Sequence, residues 1–124
     1  MNEILDSELN SAFVAPDREF CGERLAPYTE GSRLLLMQAK SDEDSSIFFV
    51  WSFIYLHIQL AKNRKEAIKL AWNKDNFRER VLDWADTKTP ADRDKATNLV
   101  GEILEESSKG AVEAVKTGLP LGNG

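Results

Sequence analysis

The chain has 124 residues, of which 42% are hydrophobic and 30% are charged, a balance typical of one globular domain. The formal net charge of −5 argues against nucleic acid or an anionic membrane surface as the main partner, because phosphate binding needs a concentrated basic face. A single cysteine and a single histidine exclude an internal disulfide and a zinc site built from those residue types alone. The first residues hold no basic stretch followed by an apolar one, so we expect no secretory signal and a cytoplasmic protein.

The N-terminal part of the chain predicts little regular structure. Apolar residues recur at near-helical spacing over residues 3–13, which predicts a weak helix or a frayed arm. A segment with two prolines and a glycine follows, and its arms at 20–21 and 24–25 predict a small hairpin with its turn at 22–23. Because an isolated hairpin is only marginally stable, we expect it to pack on a helical body.

A polar residue in front of a leucine-rich segment predicts the first substantial helix. Thr29 can accept a hydrogen bond from the backbone at the start of a helix over residues 30–40. Glu30 in its first turn suits the positive end of the helix dipole. A polar, acidic loop over residues 40–46 follows.

The most apolar segment covers residues 47–61, where only Ser52, His57 and Gln59 are plainly polar. As a helix it is roughly 22 Å long, whereas a bilayer needs about 20 residues, so we expect no membrane span. Alternating apolar positions leave a strand open, but acids before the segment and bases after it favour a helix. A helix that is apolar nearly all round is predicted to be central, with His57 in a structural role.

Two shorter helices are predicted next, over residues 64–73 and 76–86, with Asp75 as the cap of the second. Their apolar residues recur at helical spacing, which marks one inward face on each. The residues expected to face inward are Ile68, Ala71, Trp72, Phe77, Val81, Trp84 and Ala85.

The clearest helix start in the chain has Thr89 at the cap, Pro90 at the first helical position and Asp92 at the third. We therefore expect a mainly α fold of about five helices around a very apolar central helix, with a short extended or hairpin segment near the N-terminus. One helical domain over residues 1–118 and a flexible, glycine-containing tail over 119–124 complete this prediction.

The sequence holds no catalytic, cofactor or metal signature. It lacks a glycine-rich phosphate loop and the HExxH and GxSxG motifs. Cys21 and His57 are candidates for a thiolate and base, but neither lies in a nucleophile motif. Capping or solvated roles explain a group of four acids better than cation binding does; they are Asp83, Asp86, Asp92 and Asp94. We expect no enzyme, no cofactor and no metal.

Large aromatic side chains are numerous for a small helical domain, with three Trp and six Phe. Core packing accounts for most of them, and any left at the surface are suited to anchoring a partner. We single out Phe49, Trp51, Phe77 and Trp84 as candidate partner-binding anchors, each of which is also a candidate core residue.

Charge is unevenly distributed along the chain. Residues 1–45 hold 10 acids and 4 bases, a net of −6, whereas residues 62–80 hold 7 bases and 3 acids, a net of +4. A solvated helix face is the ordinary explanation of such a basic segment. The alternative is a docking patch for an acidic segment of a neighbouring copy, with Arg64, Lys65 and Lys69 as contacts. Unlike patches predict a head-to-tail homo-oligomer.

The stretch FCGERLAPYTEGSRLLLM, residues 20–37, has a glycine in a short extended segment, then Leu-x-Pro, an aromatic residue and a threonine opening a leucine-rich helix. These residues are Gly22, Leu25, Pro27, Tyr28, Thr29 and the leucines at 34–36. The pattern and the order of helices after it resemble small helical tail assembly chaperones of tailed phages and prophages. The resemblance implies a non-enzymatic protein of the bacterial host cytoplasm that binds a long helical tail protein, the tape measure, before the tail tube forms around it.

Two other classes of function stay open. One is an interaction protein of a virion or toxin system with a different client. The other is a small enzyme with a sparse site. Copurification with a long helical partner favours a binding role, whereas a deep polar pocket around His57 favours the enzyme.

Overall fold

The computed structural model describes residues 18–116, with side chains for residues 18–108. Within this part a two-stranded hairpin precedes five helices, which confirms the mainly helical prediction. The elements are β1 (Arg18–Phe20), β2 (Glu23–Leu25), α1 (Glu30–Ala39), α2 (Ser46–Lys62), α3 (Arg64–Trp72), α4 (Lys74–Ala85) and α5 (Pro90–Lys116). The predicted helix over 3–13, the domain limit at 118 and the tail over 119–124 lie outside the described residues.

The hairpin turns one residue earlier than predicted, at Cys21 and Gly22. β1 and β2 pair antiparallel, with Arg18 opposite Leu25 and Phe20 opposite Glu23. Cys21 has φ 50 and Gly22 has φ 83, so both central residues have the positive φ of a type I′ turn. The predicted turn at 22–23 was wrong by one position, because a non-glycine residue, Cys21, takes the first positive-φ position of the turn.

Side-chain caps explain where the helices begin. Thr29 caps α1 as predicted, and Ser45 caps α2 by accepting a hydrogen bond from the Phe48 amide. Asn63 ends α2 and caps α3, and Asn73 ends α3 and caps α4. The predicted cap Asp75 lies in the first turn of α4 instead. Because one residue serves two helices at each junction, α2, α3 and α4 follow one another without an intervening loop.

The predicted start of α5 is confirmed by reciprocal hydrogen bonds. The Asp92 amide donates to Oγ1 of Thr89, and the Thr89 amide donates to a carboxylate oxygen of Asp92. This capping box satisfies two backbone donors that the first helical turn leaves free.

α2 is the central helix, as its composition predicted. Residues 52–58 are buried without interruption, and α2 packs against β2, α1, α3, α4 and α5. Two alanines on α3, Ala67 and Ala71, face it and allow a close approach. The other elements contribute Phe20, Leu25, Leu36, Ala39, Phe77, Val81, Ala96, Val100 and Ile103 to the same core. In the described part of the chain, no helix combines the length and the apolar character needed to cross a bilayer.

Leu56→Ala is expected to lower the free energy of unfolding by about 2–5 kcal/mol, because Leu56 is fully buried and its removal leaves a cavity around α2. Chemical denaturation followed by far-UV circular dichroism measures the change. The matched control Leu34→Ala alters an exposed leucine of α1 and is expected to shift stability by no more than about 0.5 kcal/mol. Equal losses in the two variants would contradict the central position of α2.

Candidate protein-binding surface

The structure separates the four predicted aromatic anchors into two groups. Phe77 is only 1% exposed and offers no surface to a partner. Of the two roles predicted for it, anchor and core residue, the structure shows the core role. Its position in α4 directs the ring towards Tyr55 of α2, at a centroid distance of 6.0 Å. Phe49, Trp51 and Trp84 are half-buried, and their role as anchors stays a prediction.

Trp51 and Trp84 are partly covered by the hairpin. The Phe20 ring lies 5.9 Å from the Trp51 ring and 6.0 Å from that of Trp84. The two indoles contact each other edge to face at 5.5 Å, and Tyr55 lies 5.5 Å from Trp84. Such ring pairs stabilise a packed cluster beyond the area they bury. This side of α2 is therefore closed by β1.

Glu23 in β2 fixes the edge of that aromatic cluster. Its carboxylate accepts a hydrogen bond from Lys62 at 2.9 Å and another from the Trp84 indole nitrogen at 3.3 Å. The Lys62 ammonium, supported by the indole N–H, holds the pKa of the Glu23 carboxyl below its usual value. Glu23 thus joins the hairpin to the end of α2 and to α4.

His57 joins α1 to α2 from within the core. Nδ1 lies 2.7 Å from the Phe53 carbonyl oxygen, and Nε2 lies 2.9 Å from Oγ of Ser32. Because the carbonyl only accepts, Nδ1 carries the proton. Nε2 of the neutral ring then accepts the single proton of the Ser32 hydroxyl, in preference to the Thr29 carbonyl oxygen 3.0 Å from that hydroxyl. That hydroxyl in turn accepts from the Thr29 amide in the capping box of α1. The imidazole is neutral and both of its nitrogens have partners.

Cys21 and His57 do not form a catalytic pair. His57 is fully buried and its nitrogens are occupied, whereas Cys21 is exposed in the hairpin turn. The Cys21 sulfur lies 3.7 Å from an oxygen of Asp92. Partial burial, together with the Asp92 carboxylate, raises the pKa of the Cys21 thiol, which disfavours the reactive thiolate.

A polar cleft of about 270 Å³ lies between α2, α3 and α4. The only carboxylate among its lining residues, Glu66, forms an ion pair with Lys69 at 3.5 Å. The remaining lining residues are Gln59, Ala67, Leu70, Asn73, Asn76 and Arg80. This lining offers hydrogen bonds and the charged Lys69, but no serine, threonine, cysteine or histidine. Within residues 18–108 no group of three or more His, Cys, Asp or Glu side chains is placed to hold a metal ion.

The largest exposed apolar side chains of the neighbouring helices α1 and α3 are Leu34, Met37 and Trp72, which are 55%, 57% and 64% exposed. Trp72 was predicted to face inward and does not. Ala67 and Ala71 already fill the inner face of α3, and Trp72 follows Ala71 by one residue, a rotation of about 100° around the helix.

α1 and α3 pack against each other. Near their starts, a β-carbon placed on Gly31 of α1 would lie 3.9 Å from Nη2 of Arg64. The exposed apolar residues Leu34, Met37 and Trp72 thus belong to two helices that are in contact.

Arg64, Ile68 and Trp72 are spaced i, i+4 and i+8, so they lie along one side of α3. Arg64, the first of them, lies beside Gly31 of α1. The polar cleft and α4 occupy the opposite side of α3. Leu34 lies one helical turn beyond Gly31 along α1. We call the exposed residues here the α1–α3 surface: Leu34, Met37, Arg64, Lys65, Lys69 and Trp72.

All three bases predicted as oligomer contacts, Arg64, Lys65 and Lys69, are exposed on α3, the helix that ends at Trp72, and Lys69 also lines the polar cleft. The exposure of Leu34, Met37 and Trp72 was not predicted from the sequence. The signal for Trp72 was present, because two alanines spaced i, i+4 define the inner face of α3 without it.

Lowering the pH from 7 to 5 is expected to destabilise the protein through His57, its only histidine. Burial lowers the pKa of His57, and the Phe53 carbonyl hydrogen bond only partly offsets this. Below the ordinary pKa of about 6.5, the unfolded chain binds a proton that the folded chain does not. The free energy of unfolding therefore falls as the pH is lowered, by at most about 1.4 kcal/mol per pH unit. Above a pH of about 6.5 His57 is neutral in both states, so it no longer makes the stability depend on pH.

Urea denaturation at a series of pH values measures this slope. His57→Gln serves as the control, because its slope between pH 5 and 7 is expected to be nearly flat whatever its absolute stability. A wild-type slope equal to that of His57→Gln would contradict a neutral, buried imidazole.

No family model, curated protein or solved structure matches this chain.

Proposed function

We propose that this chain is a non-enzymatic protein-binding module that uses the α1–α3 surface to shield an apolar helical client. The observation that carries the proposal is the exposure of Leu34, Met37 and Trp72 on two adjacent helices. Large apolar groups clustered at a surface are typical of a protein interaction site. The client that fits the sequence resemblance is the long helical tail protein of a tailed phage or prophage, met in the bacterial host cytoplasm before tail assembly.

The size of the surface indicates how the client is held. Burying three side chains that are already more than a third covered contributes about 3–5 kcal/mol, before the entropy cost of association. A single copy therefore binds weakly. Several copies along one long client gain affinity through their high effective concentration. A long helical client with repeated apolar stripes offers such a row of sites.

An enzymatic role has less support from the same residues. His57 has no free nitrogen, the thiol of Cys21 has a raised pKa, and the lining of the polar cleft between α2, α3 and α4 holds no serine, threonine, cysteine or histidine. A binding module needs none of these groups, whereas a hydrolase or transferase does.

Co-expression with the long helical tail protein of the same gene cluster tests the proposal. The wild type is expected to keep that protein soluble, in a complex that persists in 1 M salt because apolar contacts are not screened. The double variant Met37→Ser/Trp72→Ser is expected to lose at least nine-tenths of the soluble client, since it removes the two most exposed anchors.

The matched control is Leu82→Ser. Leu82 is as exposed as Leu34 but lies on α4, on the side away from α3, so this variant is expected to retain the client. Loss of the client in Leu82→Ser alone would assign binding to α4. An insoluble client in the presence of wild type, or a complex that dissociates in moderate salt, would leave only a general interaction module.

A further inference from the structure

The outer face of α3 combines positive charge with one large aromatic side chain. Arg64 and Lys65 are exposed, and Lys69 pairs with the exposed Glu66 at 3.5 Å. Trp72, the most exposed of the large apolar residues described, lies at the end of the same helix. A segment that complements this face carries acids beside apolar residues.

The chain itself contains such a segment. Residues 1–17 hold four acids and no lysine or arginine, together with apolar residues at near-helical spacing. The acids are Glu3, Asp6, Glu8 and Asp17, and the apolar residues include Ile4, Leu5, Leu9 and Phe13. This segment lies outside the described residues.

Whether this segment reaches α3 of its own chain depends on the position of Arg18, where the described residues begin. Arg18 in β1 is paired with Glu106 of α5, whereas α3 packs against α1, α2 and α4. If residues 3–13 lie on α3, only four residues join them to Arg18. Residues 13 and 18 are five Cα steps apart, which span at most about 18 Å when extended, so the short connection restricts the positions that this segment reaches on its own α3. A second copy has no such restriction and is the acceptor that we consider.

We infer that residues 3–13 of one copy bind the outer face of α3 in a second copy, with the apolar side chains against Trp72 and the acids against Arg64, Lys65 and Lys69. The donor segment and the acceptor face are different parts of the chain, so the contact is head-to-tail and can close into a ring. The inference shares Trp72 with the proposed function but does not depend on it, since self-association needs no client. A client and a neighbouring copy then compete for the same tryptophan.

Charge reversal in the full chain tests this inference. Variant one is Asp6→Lys/Glu8→Lys and variant two is Lys65→Glu/Lys69→Glu. Sedimentation velocity at low ionic strength is expected to show wild-type oligomers and, for each variant alone, at least a tenfold weaker association. An equimolar mixture is expected to recover association, because each variant then offers the charge that the other has lost.

Far-UV circular dichroism of both variants controls for folding, and recovery in the mixture shows directly that both remain competent. A wild type that stays a single chain at high concentration, including one whose segment binds its own α3, overturns the inference. A mixture of the two variants that stays dissociated also overturns the inference. The same holds if either variant associates as strongly as the wild type. Retention of client by a wild type that does not self-associate would overturn this inference alone.

Discussion

The burial of His57 in α2 is the constraint on which the arrangement of the other elements depends. The backbone carbonyl of His57 accepts a hydrogen bond from the Ala26 amide at 2.9 Å, which fixes the chain just after β2. Its ring accepts from Ser32 in the first turn of α1. One residue thus sets both the hairpin and α1 against the central helix. Burying an imidazole without hydrogen-bond partners raises the free energy of the folded state, so the contacts that satisfy its nitrogens stabilise the fold together.

This arrangement gives the molecule two unlike sides. On one side the hairpin covers aromatic residues, with Phe20 on Trp51 and Trp84 and with Glu23 holding the indole nitrogen of Trp84. On the other side α1 and α3 meet without a covering element in the described part of the chain, and Trp72 is exposed there. The distinction explains why a tryptophan at a helix end, rather than one on the central helix, is the better candidate for contact with a partner.

Most of the fold could be predicted from sequence because it follows from local chemistry. The composition of α2, the threonine cap of α1 and the Thr89–Asp92 capping box each act within a few residues. The candidate surface could not be predicted, because the side of a helix that is exposed depends on which neighbouring side chains fill the core. Phe77 and Trp72 are both large aromatics on short helices, and only the packing of α3 through its alanines against α2 determines which one is exposed. The hairpin turn was misplaced because Cys21, a residue type that rarely adopts a positive φ, occupies its first position.

The central claim is that Trp72 is exposed in the free chain and becomes covered when a protein binds. Fluorine NMR of the 5-fluorotryptophan-labelled chain tests it directly, because the chain has three tryptophans and Trp72→Phe identifies one signal. In 1 M salt, where screening to about 3 Å weakens ionic self-association, a paramagnetic agent is expected to broaden the Trp72 signal most. Addition of the helical tail protein is expected to restore it. Equal protection of all three signals in the free chain, or a Trp72 signal that stays broadened in the complex, would contradict the account.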